Sequence, residues 1–161
     1  MSANSRDFIL YYKQFRDKIY NYFLYRTGFN RDLAEDLTSE VFIKALKNFD
    51  SFDESKKFQS WIFTIAHNHL VNHYKASKSV VSLEAVEQTL SMPADDHSQV
   101  LEVENIIKVI ATMAESDREP LLMRYVDGLS NQEIADLLAK DEGAVRTQLS
   151  RSLAKLREKL T

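Results

Sequence analysis

Between Ser130 and Leu160 apolar residues recur at helical spacing, and the phase of that recurrence breaks once, over residues 140–143. Few backbones satisfy this other than two helices joined by a tight turn. Ser130 followed three positions later by Glu133 is a capping box, which predicts a helix start. Ile134, Leu137 and Leu138 then share a face, and Ala135 is small enough for a close helix crossing. Asp141 as a capping residue and Gly143 as the breaker predict the turn and a fresh start. Beyond it Val145, Leu149, Leu153, Leu156 and Leu160 form one stripe. The other faces carry Arg146, Thr147, Gln148, Ser150, Arg151, Lys155, Arg157 and Lys159. From Ala144 onward the chain holds five Lys/Arg against one acidic residue. This is the helix-turn-helix pattern, whose second helix enters a major groove with donors toward base edges and cations toward phosphates. The plainer alternative is a helical hairpin with a solvated basic face.

The same helical period governs the rest of the chain. Only three Gly and two Pro interrupt 161 residues, and no strand-like alternation bounded by turn signals occurs, so the expected class is all-α. With no cysteine there is neither a disulfide framework nor a thiolate metal site. No signal peptide and no apolar run of membrane length are seen, and the expected compartment is the cytoplasm, without membrane insertion. A net charge of −3 argues against a general polyanion binder, but its distribution is uneven. Residues 1–80 carry 12 basic and 9 acidic side chains, residues 81–120 carry 2 and 9, and residues 121–161 carry 7 and 6. Two mildly basic ends flank an acidic middle.

The spacing predicts a frayed start over residues 1–5 and a helix from Arg6 to Arg26, with Phe8, Tyr12, Phe15, Ile19, Tyr22 and Phe23 on one stripe and Gly28 as its stop. Asn30 is a cap for a second helix, Arg31–Lys47, in which Leu33, Leu37, Val41 and Ala45 line one side and Phe42 and Leu46 widen it. Residues 48–57 read as a loop. A third helix runs from Phe58 to about Lys75, with Trp61, Ile62, Ile65, Ala66, His69 and Leu70 near one face. Residues 76–97 read as an acidic linker, with a short helix possible over Val80–Leu90. Gln99–Ala114 is amphipathic through Val100, Val103, Ile106, Ile107 and Ile110. Ser116 or Asp117 would cap the next helix, Pro120 would fall in its first turn, and Asp127-Gly128 would end it. The organisation is therefore two helical domains, 1–75 and 98–161, joined by the linker.

Taken together, the segments AEDLTSEVFIKAL (34–46), FDSFDESKKFQSWIFTIAHNHLVNHYK (49–75) and LLMRYVDGLSNQEIADLLAKDEGAVRTQLSRSLAKLRE (121–158) resemble a sigma-70-family RNA polymerase sigma factor of the extracytoplasmic-function (ECF) type. The first two look like sigma region 2 and the third like region 4. The helix-turn-helix half is shared with many regulators; its combination with AEDL…EVF…WIFTIAxN is the specific part. The resemblance implies a protein that binds core polymerase and directs promoter-specific initiation. It implies a core-polymerase interface at Asp36, Leu37, Glu40, Val41, Phe42 and Lys44, facing the β′ clamp helices, with region 4 meeting the β flap. It implies that Asn68, with Trp61, His67, Asn72 and Lys75, faces the melted −10 element. A splayed base needs amide hydrogen bonds and a stacking wall to offset the few kcal/mol of unstacking. It implies −35 contacts at Arg146, Thr147, Ser150, Arg151 and Lys155. An anti-sigma partner and a channel-bound acidic linker, through Glu84, Glu87, Asp95 and Asp96, are further implications.

The chain departs from the family pattern at Ser39, Asn72, Ala139, Ala144, Gln148 and Leu153. Fewer arginines on the DNA faces imply weak DNA binding by the free chain, with polymerase supplying most of the affinity. No catalytic constellation, cofactor motif or phosphate-cradling Gly loop is present, so the expectation is a non-enzyme without cofactor. His69 and His73 stand at metal-ligand spacing, yet no further ligand completes a set. Two other functions stay open at this level: a stand-alone helix-turn-helix regulator that dimerises through its first domain, and a sigma-like decoy for an anti-sigma protein.

Overall fold

A computed structural model describes residues 2–77 and 98–161, and these are helical outside short turns, with no strand among them. The chain divides into two units, Met1–Thr89 and Leu90–Thr161. Most of the predicted linker, including Val80–Leu90 and Glu84, Glu87, Asp95 and Asp96, lies outside the described residues.

In the first unit, α1 (Ser2–Leu24), α2 (Arg31–Lys47) and α3 (Phe58–Ser77) pack around Ile19, Tyr22, Phe23, Val41, Ile62, Phe63 and Ala66, all fully buried. α1 begins at Ser2, ahead of the expected Arg6. It also stops at Leu24 rather than Arg26. Gly28 and Phe29 both turn left-handed, at φ 64° and 63°, and the Phe29 amide closes onto the Leu24 carbonyl at 2.9 Å. Phe29 tolerates this costly conformation because its side chain is buried. Asn30 caps α2 as expected, its side chain accepting from the Leu33 amide at 3.1 Å. Two stripe residues fall outside the core: Tyr12 and Leu46 are exposed. In the interior of α2 their place is supplemented by Thr38, whose hydroxyl donates to the Ala34 carbonyl at 2.7 Å.

A 3-10 turn over Phe49–Ser51 folds the following loop under α1. Tyr11 stacks on Phe58 with ring centroids 4.1 Å apart, and Phe49 and Phe52 join them edge-on. The loop is thus fastened by rings rather than by helical packing, and it fixes the direction in which α3 departs.

The second unit contains α4 (Ser98–Ala111), α5 (Glu115–Leu121), a π-helical turn over Leu122–Val126, α6 (Asn131–Leu138) and α7 (Glu142–Leu160). Ile107, Ile110, Leu121, Leu122, Met123, Leu129, Ile134 and Val145 form its core. Val103 and Ile106 of the expected α4 stripe are exposed, as is Leu160 at the far end of α7.

Three sequence expectations change here. The helix over Glu115–Leu121 starts behind Ala114, with no side-chain cap, so neither Ser116 nor Asp117 is a cap. Pro120 then falls inside the helix rather than in its first turn, and it is buried. It has no N–H for the helical ladder, and the chain widens into the π turn immediately after it, with the Asp127 amide reaching the Leu122 carbonyl at 2.9 Å. Finally, the break between α6 and α7 sits at Ala139, left-handed at φ 54°, and Gly143 lies inside α7. Asp141 stands at the N-cap of α7, but its side chain makes no capping bond. Gly128 turns left-handed at φ 77°, and the Ser130–Glu133 capping box forms with both bonds at 3.1 Å, as expected.

Candidate nucleic-acid and polymerase interfaces

On α3, Trp61, Ile65, Asn68, Asn72 and Lys75 are spaced by alternating steps of four and three, which places them along one side of the helix. Asn68, Asn72 and Lys75 are exposed and Trp61 is half-buried. One edge of the stripe is therefore an aromatic ring, its middle offers two amides, and its end carries a cation. Trp61 is both wall and core: its ring lies 5.1 Å from Phe52, 5.6 Å from Phe58 and 6.3 Å from Phe49, centroid to centroid. The aromatic nest holds the indole still while leaving part of it in solvent.

His67, expected with this group, points elsewhere. Its Nδ1 lies 3.2 Å from the Tyr22 hydroxyl, beside the α1 interior, and it is half-buried. The structure brings Trp61, Asn68, Asn72 and Lys75 together and sets His67 apart as a contact between helices.

The set assigned to α2 splits in two. Leu37, Val41 and Phe42 are at most 4% exposed, so they hold the bundle together and present no surface to a partner, which corrects their placement at an interface. Asp36, Glu40 and Lys44 are exposed. Ile43 and Leu46 are exposed beside them, at 54% and 56%. Ile43 was missed from sequence, although its phase falls outside the Leu37–Val41–Ala45 stripe. His69 reaches this face from α3, with its Nε2 2.6 Å from Glu40 Oε2 and its Nδ1 2.9 Å from Lys44 Nζ.

In the second unit α7 shows two polar faces of different character. Outward, Arg146, Thr147, Ser150 and Arg151 are exposed. Arg146 lies 3.9 Å from Glu142 one turn earlier, and the Thr147 hydroxyl donates to the Gly143 carbonyl at 3.1 Å. A shallow open hollow at the start of the helix runs between Lys140, Gly143, Thr147 and Arg151. A Cβ at Gly143 would meet only the Arg146 guanidinium, at 3.9 Å, so close backbone approach does not demand glycine there.

Inward, Gln148, Ser152 and Lys155 converge on Asp117 of α5. Gln148 Nε2 donates to Asp117 Oδ1 at 2.7 Å, Ser152 Oγ donates to the same oxygen at 3.2 Å, and Lys155 Nζ donates to Oδ2 at 3.0 Å. Asp117 is 5% exposed. The hydrogen bond from Lys155, helped by those from Ser152 and Gln148, holds its carboxyl below the usual carboxylate range, against the opposing effect of burial. Lys155, expected on DNA, is thus engaged by the protein's own carboxylate. Sequence reasoning missed this hub. The available signal was a polar stripe at 148, 152 and 155, running beside the apolar stripe at helical spacing.

Among the described residues no helix is long and apolar enough to cross a membrane, and no group of three or more His, Asp or Glu could hold a metal ion.

Comparison with known proteins identifies the family. Residues 11–80 match the family model for Sigma-70 region 2, and residues 104–156 match that for Sigma-70, region 4. The chain is 32% identical over 159 residues to the ECF RNA polymerase sigma factor SigW of Bacillus subtilis, covering 91% of this chain and 84% of that protein. It is 31% identical over 154 residues to the ECF RNA polymerase sigma factor BldN of Streptomyces coelicolor, covering 90% of this chain and 58% of BldN's length. Its fold matches that of the sigma factor RpoE from Bartonella quintana, seen in complex with the anti-sigma factor NepR. The TM-score is 0.76 at 21% identity, over 96% of this chain and 97% of the other. The chain belongs to the sigma-70 family of RNA polymerase sigma factors, in its extracytoplasmic-function group.

Proposed function

We propose that this chain binds core RNA polymerase through the exposed side of α2, captures melted −10 strand on the outer stripe of α3, and reads −35 duplex with α7. Promoter-specific transcription initiation is the family's work. The observation that carries the residue assignments is the α3 stripe: an anchored, partly exposed indole, two exposed amides and an ammonium in one line. That order suits a single strand, with a stacking wall, hydrogen-bonding edges and a phosphate contact. On α2 the docking surface consists of Asp36, Glu40 and Lys44 together with Ile43, rather than the buried Leu37, Val41 and Phe42. On α7, Arg146, Thr147, Ser150 and Arg151 face the duplex, and Arg146 or Arg151 can pair with guanine edges.

The role is one of binding and positioning rather than catalysis, and polymerase supplies most of the DNA affinity. Work with polymerase places the protein in the cytoplasm. The RpoE structure, with its bound anti-sigma factor NepR, supports an anti-sigma partner for this chain as well.

Run-off transcription with purified core polymerase and a genomic fragment library tests the proposal. Specific transcripts are expected, and they are expected to vanish in Asn68→Ala and Arg146→Ala. Absence of core binding would instead favour a stand-alone DNA-binding regulator. Core binding without transcripts would favour a decoy.

A further inference from the structure

His69 follows Asn68 directly and lies about 100° further round the helix. From α3 it crosses to α2 and lies between two residues one turn apart, Glu40 and Lys44. Its side chain is 14% exposed, whereas that of Glu40 is 55% exposed. The chemistry of the two contacts fixes the ring's state. An ammonium can only donate, so Nδ1 must accept from Lys44; a carboxylate can only accept, so Nε2 must carry the proton given to Glu40. The ring is then neutral, and hydrogen bonds run in one direction from Lys44 through His69 to Glu40. On the inner side the ring lies edge-on to Phe23, at 6.4 Å between centroids, which backs it with the bundle core.

Long charged side chains on a helix surface ordinarily sample many rotamers, and fixing them on binding costs conformational entropy. Here a mostly buried ring holds two of them in advance. We propose that His69 is a positioning residue for polymerase docking: it presets the Glu40 carboxylate and the Lys44 ammonium on α2 in the arrangement that the core enzyme meets. The inference rests on the assignment of the α2 face to polymerase. It adds a residue of the −10-facing helix to the docking machinery without any contact of its own to the partner.

The test measures the affinity of the full-length chain for core polymerase. His69→Phe keeps the ring volume and removes both hydrogen bonds; His69→Gln keeps one donor and one acceptor. His69→Phe is expected to weaken core binding about three- to tenfold, the range that two partly exposed polar contacts cover. His69→Gln is expected to restore it to within about twofold, and Glu40→Ala combined with His69→Phe to be little worse than the poorer single variant. Wild-type affinity in His69→Phe would overturn the proposal. So would a His69→Gln variant as weak as His69→Phe, or defects that multiply fully in the double variant. If the wild-type chain itself fails to bind core enzyme, the functional assignment falls and this inference with it; if the wild type binds and the variants do not differ, only the positioning role is lost.

Discussion

The Lys155 ammonium turns back to Asp117, 3.0 Å away, and so joins α7 to α5. Its side chain remains 58% exposed while that of Asp117 is 7% exposed, so the pair sits at the rim of the packed region. In an outward-facing role Lys155 would hold a phosphate. In the observed structure it is paired with the Asp117 carboxylate of α5.

The two roles separate experimentally. Arg151→Ala is expected to lower the salt dependence of −35 duplex binding by holoenzyme by about one unit of slope. Lys155→Ala is expected to leave that slope nearly unchanged and to destabilise the domain by about 1 kcal/mol, because a largely buried carboxylate loses one of its three partners. Salt titration of duplex affinity, read beside denaturant unfolding, checks both. An equal drop in slope for Lys155→Ala would return it to the DNA interface.

Acid should act through Asp117. Its carboxyl is held below the usual range in the folded chain, so between the folded and unfolded values the unfolded chain binds more protons. The stabilisation is fully present above the unfolded carboxyl's value of about 3.9 and is lost as pH falls through the lower folded value. Asp117→Asn should remove that acid dependence and cost about 1–2 kcal/mol near neutrality, since an amide must turn a donor toward either Lys155 or Gln148. Amide exchange resolved for each domain, recorded across the acid range, measures both effects.

Ala139 takes a left-handed conformation that an L-residue adopts at a cost of about 1–2 kcal/mol. Ala139→Gly is therefore expected to stabilise the second unit by about 1 kcal/mol, somewhat less than the strain because glycine gains freedom in the unfolded chain. A denaturation midpoint that fell instead would show the turn to be held by contacts of the Ala139 methyl group.

Asn68→Ala should abolish capture of a −10 single strand by holoenzyme while leaving core affinity within about twofold, because Asn68 is exposed and it is His69, about 100° further round α3, that meets Glu40 and Lys44. Strand binding and core binding, measured on the same preparation, would have to fail together to contradict the division of α3 into two faces.

Periodicity made much of this legible in the sequence. The Asn30 cap, the bounds of α2, the capping box at Ser130 and the Val145–Leu149–Leu156 stripe all arise from local chemistry and helical spacing, and all appear as expected. Pairings across helices were not legible. Asp117 looked like a cap because acids often start helices, and its true partners lie 31 to 38 residues downstream. Phe42 and Val41 looked like partner surface because the family motif names them, although spacing alone already set them in the core stripe. Residue chemistry alone put the turn at Gly143, the more permissive backbone, whereas the family pattern, with a frequent turn glycine where Ala139 stands, pointed to the observed position.

Asn68 and His69 are consecutive, and helical geometry turns them about 100° apart. The register of α3 is therefore a shared constant: one inserted residue between Trp61 and Asn68 would swing the amides off their line with the indole and move the imidazole away from Glu40 and Lys44. Length variation among relatives should accordingly gather in the ring-fastened loop at 48–57 and avoid the first three turns of α3. A lengthened loop leaves both faces in phase, whereas a helix longer by a single residue would misalign both.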